Sequence, residues 1–331
     1  AGSYMTSAIT LAKDPETGIR GIGLHRIQIK DKDTVGIFLA TPPLSEFLAK
    51  AEKLNKPLDI AIASGVDPMT FCASCFYAPE GVDKFDIAGG FAEVPIDLVK
   101  CRSVDIEVPA NAEFILEGSI TPGIREKEGP FGESTGFYLA YDNPVGKIRT
   151  ITHRSKPIYH SLMPFTAEEE SLWGVMMHPY LARTIQDALP EVKIAGIESL
   201  AVGLFCVVQI DKRQEEDTLK VIDYLLSNPF IKIVVVTDMD VNISDLSEVA
   251  WAMATRVRPD RDVTIKSDLL GSMIDPSVRG LEEVELALMI GKTSKIGIDA
   301  TKPLAELEKF ERIDVPKEVE EKILRLLEVL K

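Results

Sequence analysis

Two acids bracket a stiff linker at Glu128-Gly129-Pro130-Phe131-Gly132-Glu133. Pro130 restricts φ, Gly129 and Gly132 permit sharp or left-handed backbone, and a carboxyl group leaves each end. The segment reads as a rigid turn able to hold two carboxyls near one reacting atom. In a partly dry site paired carboxyls titrate apart, so one keeps a proton to donate while the other stays charged to orient a partner. The plainer reading is a surface turn with two solvated acids. Spacing alone leaves both open.

Other reactive residue types carry less. Cys72-Ala-Ser-Cys75 has the spacing of half a zinc or redox site, but no second pair accompanies it and its surroundings are apolar, which favours core thiols. Asp238-Met-Asp-Val-Asn242 begins like a calcium loop. Ile243 stands where that loop needs glycine and Val249 where it needs its last carboxylate, so a strand end followed by a helix cap fits better. His153, His160 and His178 lack metal spacing, and His160 is the one expected nearest a substrate, because residues 159–164 precede a change of rhythm.

That rhythm divides the chain. Over residues 14–40 short β-branched or apolar runs alternate with turn signals, the pattern of antiparallel strands. Residues 44–54 place Leu44, Phe47, Leu48, Ala51 and Leu54 at helical spacing, with Ser45 or Thr41 as N-cap. Further strands are expected at 58–63, near Leu98, at 104–108 and at 114–120, with a short helix at 68–75. Their sum is a barrel-like β domain with inserted helices. Later units are longer: helix 167–189, strand 201–210, helix 216–226, strand 231–237, helix 245–257, and an amphipathic helix at 315–331 after Pro316. Strand and helix alternation predicts a layered α/β domain, and the terminal helix, with Val319, Ile323, Leu326, Leu327 and Leu330, suits docking on a neighbour.

Composition narrows the partners. The chain has 331 residues, 45% of them hydrophobic, enough for two cores, and a net charge of -15 with no basic run, which argues against nucleic acid or an anionic membrane. A small molecule or a second copy of the chain is the expected partner. Four cysteines (Cys72, Cys75, Cys101, Cys206) are too few and too unevenly placed for a disulfide framework, and no apolar run reaches the length of a membrane span. A cytoplasmic protein is expected. The opening Ala1-Gly-Ser-Tyr-Met reads as an expression remnant or as a chain missing earlier residues.

Four separated motifs carry a resemblance: LHRIQI at 24–29, VKCRSVDIEVPANAEFILEG at 99–118, EGPFGESTGFY at 128–138 and IGKTSKIGIDAT at 290–301. Together they resemble the UbiD family of reversible decarboxylases, and residues 234–242 and 249–256 look like that family's C-terminal domain. The family's N-terminal domain has no counterpart here. The resemblance implies an α/β (α+β) chain, with a split β-barrel that binds prenylated flavin mononucleotide (prenylated FMN) at 1–160 and a layered α/β domain at 161–331. It implies a catalytic trio: Arg26 holds the substrate carboxylate and pairs with Glu128, and Glu133 protonates carbon after carbon dioxide leaves. The flavin serves as the electron sink such a carbanion needs. Leu24, His25, Arg26, Phe38, Leu39 and Ala40 would line the flavin and Lys295 would meet its phosphate. A flavin prenyltransferase is the implied cofactor supplier, and homo-oligomerisation is expected.

One departure stands out. Many members hold a divalent metal at the phosphate through Asn, His and Glu, whereas the matching positions here are Gly21, Pro42 or Pro43, and Lys84, none a credible divalent ligand. The ammonium of Lys84 is the expected substitute, against the alternative of a surface lysine. These losses point to the archaeal branch acting on anhydromevalonate phosphate, with Arg125 and Lys127 near the substrate phosphate. The rival reading is a non-catalytic flavin-binding or assembly subunit, which would have no use for an acid trio.

Overall fold

The computed structural model describes residues 2–76, 78, 81–278, 290–313 and 315–329. Its first domain runs β1 (Ser3–Met5), β2 (Ile9–Lys13), β3 (Arg20–Leu24), β4 (Ile27–Ile29), β5 (Thr34–Ile37), α1 (Leu44–Lys53), β6 (Leu58–Ser64), α2 (Pro68–Cys75), α3 (Lys84–Ala92), β7 (Leu98–Lys100), β8 (Glu107–Pro109), β9 (Phe114–Gly132) and β10 (Tyr138–His153). Eight of these strands pair in the order β1-β4-β5-β10-β9-β6-β2-β3. Edge strand β3 continues within two residues into β4, near the opposite edge, so the sheet curls into a half-barrel whose seam is bridged by His25 and Arg26. The bridge is tied by His25 N–H to Ala8 O (3.4 Å) and Phe38 N–H to Arg26 O (3.2 Å).

Both faces of this sheet are covered, which is why its strands read as apolar runs. Ala8 and Ala12 belong to a core with Leu44, Phe47 and Leu48 of α1, while Ile9 and Leu11 belong to a second core with Phe71 of α2 and Phe85 of α3; the alternation is the period of two along β2. The first turn of α1 differs from expectation. Its N-cap is Pro43, with no side-chain cap, and Thr41 contributes only its carbonyl, to Ser45 N–H at 3.2 Å. Helix α3 was not foreseen, since Gly89 and Gly90 weaken its helical signal. It is fixed by its cap: Asp83 accepts from Phe85 N–H at 2.9 Å and pairs with Arg20 of β3.

The predicted turn at 128–133 is instead the end of the long strand β9. The reversal comes later, where Glu133 N–H donates to Phe137 O and Gly136 N–H to Glu133 O, both at 2.8 Å. The pairing Phe131↔Leu139, then Glu128↔Tyr141, sets one extra β9 residue against β10, a bulge that accommodates Pro130, which has no N–H for the ladder. Gly129 is required there: its φ is +116°, and a Cβ would lie 2.8 Å from Ala140 Cα and Leu139 O.

The second domain follows as α4 (Ala167–Ala188), β11 (Lys193–Leu200), β12 (Phe205–Asp211), α5 (Asp217–Leu226), β13 (Ile233–Asp238), α6 (Leu246–Arg256), α7 (Pro259–Asp262), β14 (Val263–Ser272), β15 (Ile290–Ala300) and α8 (Lys317–Val329). Its sheet order is β11-β12-β13-β15-β14, with β12, β13 and β15 parallel. The strand expected from 201 starts only at Phe205, because Ala201, Val202 and Gly203 have positive φ and turn the chain back from β11. Leu162 packs in the first domain's core, so that domain extends past the expected boundary at 160. Asp245 caps α6 by accepting from Ser247 N–H at 2.8 Å, the helix cap expected after the 238–242 segment. Helix α8 leaves Val319, Ile323, Leu324 and Leu326 exposed; Leu330 and Lys331 of the expected helix lie outside the described residues. Among the described residues no helix is long and apolar enough to cross a membrane.

Candidate active site

The seam residue Arg26 is buried with both acids of the bulged strand around it. Its Nε and Nη2 donate to the two oxygens of Glu128 at 3.1 and 2.8 Å, a bidentate pairing, and its Nη1 donates to Glu133. Asn143 Nδ2 adds a bond of 2.9 Å to Glu128. Glu128 is fully buried at 0% exposure and Glu133 nearly so at 7%. The bulge makes this convergence possible. Residues five apart leave a regular strand on opposite faces, and the extra residue at 129–130 restores Glu128 and Glu133 to the same side.

Aromatic rings close over the guanidinium. Phe38 stacks on it at 3.9 Å to the ring centroid, Phe131 at 4.7 Å and Tyr141 at 5.9 Å. Such faces attract a cation and exclude water. Burial pushes the Glu133 carboxyl above the usual carboxylate range; Arg26 opposes this, while Glu128 and Glu169 reinforce it. The Tyr141 hydroxyl is raised to about 12 by burial, with the Glu133 charge adding. The site therefore holds one permanent cation, one carboxylate whose two oxygens accept three donors, and one acid biased toward keeping its proton.

Behind the bridge lies a second polar group. His25 Nδ1 is 3.0 Å from Gly23 O, and since a carbonyl only accepts, that nitrogen carries the proton. Nε2 is left as a buried acceptor with no partner. Burial lowers the His25 pKa to about 4, helped by the nearby charge of Lys84. Lys84, at the start of α3, donates to Ser74 O at 2.8 Å, and burial lowers its pKa to about 8. No carboxylate pairs with it among the described residues. A half-buried ammonium beside an unpartnered imidazole nitrogen, next to the guanidinium site, suits an anionic, hydrogen-bonding ligand.

The same surroundings do not suit a divalent metal. A Cβ at Gly21 would lie 2.5 Å from the Phe47 ring and 2.9 Å from Pro43 Cγ, so Gly21 and Pro43, both expected at or beside family ligand positions, are neighbours with apolar surroundings. Among the described residues no group of three or more His, Cys, Asp or Glu could hold a metal.

Of the remaining candidates, Leu24 and Ala40 are half-buried beside the bridge and Leu39 is buried in the α1-side core. Lys295 is a correction. It is buried in the second domain, where its ammonium donates to Leu226 O at 3.0 Å and Asn228 O at 2.6 Å, closing the C-terminal end of α5. It sits on β15 roughly 17 Å of extended strand from the Ser272↔Ile290 pair, the end nearest Met273, whose carbonyl meets Tyr141. Arg125 is corrected too: it pairs with Glu52 of α1 at 2.8 Å. Lys127, next to Glu128 in the strand, is exposed. His160 lies edge-on against Phe71 at 5.2 Å, outside the trio. Tyr141 and Asn143 escaped the sequence reading. Their spacing of two places them on one face of β10, but only the hairpin register sets that face against Glu128.

Residues 1–167 match the family described as 3-octaprenyl-4-hydroxybenzoate carboxy-lyase Rift-related domain, UbiD, and residues 170–300 its C-terminal domain. An anhydromevalonate phosphate decarboxylase of Methanothermobacter thermautotrophicus is 37% identical over 315 residues, covering 94% of this chain and 72% of that protein. The UbiD-class enzyme HmfF from Pelotomaculum thermopropionicum, in complex with FMN, superposes with a TM-score of 0.88 at 39% identity over 96% of this chain and 70% of that one. An evolved dimeric form of HmfF in complex with prenylated FMN gives 0.82 at 38% identity, over 96% and 68%.

The buried fork yields a stability contrast. Arg26→Met, which strands Glu128 away from water, is expected to cost about 3–5 kcal/mol in urea unfolding. Arg125→Met, which breaks a partly exposed pair, is expected to cost under about 1 kcal/mol. Equal small losses would mean that the fork is solvated.

Proposed function

The chain belongs to the UbiD family, and from that membership we propose a carboxy-lyase that decarboxylates an α,β-unsaturated or aromatic acid reversibly, without net oxidation, using prenylated FMN. The observation that carries the proposal is the single buried guanidinium shared by two carboxyls of unlike environment. When bound, the flavin supplies the sink for the electron pair that the breaking C–C bond leaves behind.

The protein's own groups do the rest. Arg26 offers its charge to the substrate carboxylate while Glu128 and Asn143 hold its plane fixed. Rings of Phe38, Phe131 and Tyr141 keep the reacting carboxylate from water, so its negative charge is not stabilised by solvation and departure as neutral carbon dioxide is favoured. Glu133, biased toward its protonated form, delivers the proton to the carbon that lost carbon dioxide and regains one from solvent. A non-catalytic flavin carrier would have no use for this arrangement. Anhydromevalonate phosphate is our candidate substrate, on the strength of the 37% identical relative, and self-association through the exposed apolar residues of α8 is part of the reading.

Lys84 and His25 are the proposed seat of the flavin phosphate, with the Lys84 ammonium standing where relatives place a metal. Protein produced together with a flavin prenyltransferase is expected to carry the prenylated-FMN absorbance and mass, and to keep them after dialysis against a chelator. Lys84→Met is expected to lose the flavin. Retention in Lys84→Met, or loss to the chelator, would refute the ammonium seat.

For the chemistry, the loaded protein is expected to release carbon dioxide from anhydromevalonate phosphate or from a member of a panel of hydroxybenzoic acids. Glu133→Gln should lower kcat by about 10²–10⁴. No turnover by loaded parent protein, or full turnover by the variant, would count against the assignment.

A further inference from the structure

The turn that follows Glu133 is held from outside its own hairpin at three successive residues. Ser134 Oγ donates to Glu169 Oε1 on the first turn of α4. Thr135 Oγ1 donates to Ile274 O at 2.8 Å. Gly136, with φ +83°, sits so close under Phe165 that a Cβ there would be 3.3 Å from the ring. Glu169 joins two of these contacts, because its other oxygen accepts from Phe165 N–H at 2.7 Å. One carboxylate thus fixes both the hydroxyl next to the acid and the residue whose ring covers the turn. Its location at the N-terminal end of α4 favours the negative charge.

We propose that Glu169 and Ser134 are positioning residues for Glu133: they dock the acid-bearing turn on the first helix of the second domain, and that docking sets the Glu133 carboxyl against Arg26. The inference rests on the proposed function only for its kinetic consequence. The bulge at 129–130 brings Glu133 to the correct face of the hairpin. Beyond Gly132 the β9–β10 ladder gives way to the two backbone bonds between Glu133 and residues 136 and 137, and the side chains of Ser134 and Thr135 at the tip of the turn find their partners outside the hairpin. A carboxyl displaced by an ångström no longer meets the reacting carbon, and such errors are expensive in rate. The Glu169 charge has a second effect in the same direction, since it adds to the burial that raises the Glu133 proton affinity.

Hydrogen–deuterium exchange of the flavin-loaded protein reads the docking directly. Ser134→Ala and Glu169→Ala are each expected to raise exchange of residues 132–137 about tenfold, with the flavin retained and the rest of the β9–β10 ladder as protected as in the parent. Ser134→Thr, which keeps the hydroxyl, is expected to restore protection. In turnover of anhydromevalonate phosphate, or of the panel acid that the parent accepts, the alanine variants should lower kcat about tenfold or more with KM close to parental, and Ser134→Thr should recover it. Parental protection of the turn in both alanine variants would overturn the proposal, as would parental kcat in a variant whose turn has loosened. If the loaded parent turns nothing over, the functional reading fails by itself and the exchange comparison still decides the docking.

Discussion

A guanidinium buried at the seam of a curled sheet is the constraint around which the first domain is arranged. Removing such a cation from water is costly unless its donors and charge are both answered. Here Glu128 answers them side-on, Glu133 takes the remaining edge, and Phe38, Phe131 and Tyr141 cover the faces. Two carboxyls for one cation leave an excess of negative charge in a place with little water. Burial, with the charges of Glu128 and Glu169 adding to it and Arg26 opposing, raises the proton affinity of Glu133. The imbalance that makes the cluster poor as a purely stabilising salt bridge makes it useful for chemistry.

Backbone geometry is what allows the imbalance to exist. Without the extra β9 residue, Glu128 and Glu133 would point to opposite sides of the hairpin and Arg26 would meet one of them. Gly129 is the residue that tolerates both the +116° φ and the contact with Ala140. The half-barrel contributes the other component by carrying its chain across the seam at His25 and Arg26, whose consecutive side chains leave in opposite directions. Arg26 goes to the acids. His25 keeps a buried, unpartnered nitrogen within the electrostatic reach of Lys84, an ammonium with no acid partner among the described residues.

Legibility in the sequence followed the range of the forces. Helix α5 was readable from its apolar periodicity and α2 from local signals, Pro68 at its start and the Asp67 cap that accepts from Thr70 N–H, and the trio of Arg26, Glu128 and Glu133 was readable because four motifs keep their order. The stiff Glu128–Glu133 segment was misread as a turn because a bulge is defined by its partner strand, and nothing local distinguishes the two. Lys295 and Arg125 were misplaced for the same reason: each finds its partner, the end of α5 or Glu52, through tertiary packing. Asn143 and Tyr141 became visible only with the register of β10. The departures from the family's ligand types at Gly21, Pro42 or Pro43, and Lys84 could be read position by position, but that Phe47 lies beside Gly21 could not.

The central claim is that the two acids on one guanidinium are unlike, and carboxyl-carbon nuclear magnetic resonance of glutamate-labelled protein measures it. The Glu133 signal, assigned by its loss in Glu133→Gln, should titrate above the range of the solvated glutamates and move down in Glu169→Gln. A Glu133 midpoint within the ordinary glutamate range, unmoved by Glu169→Gln, would contradict the account.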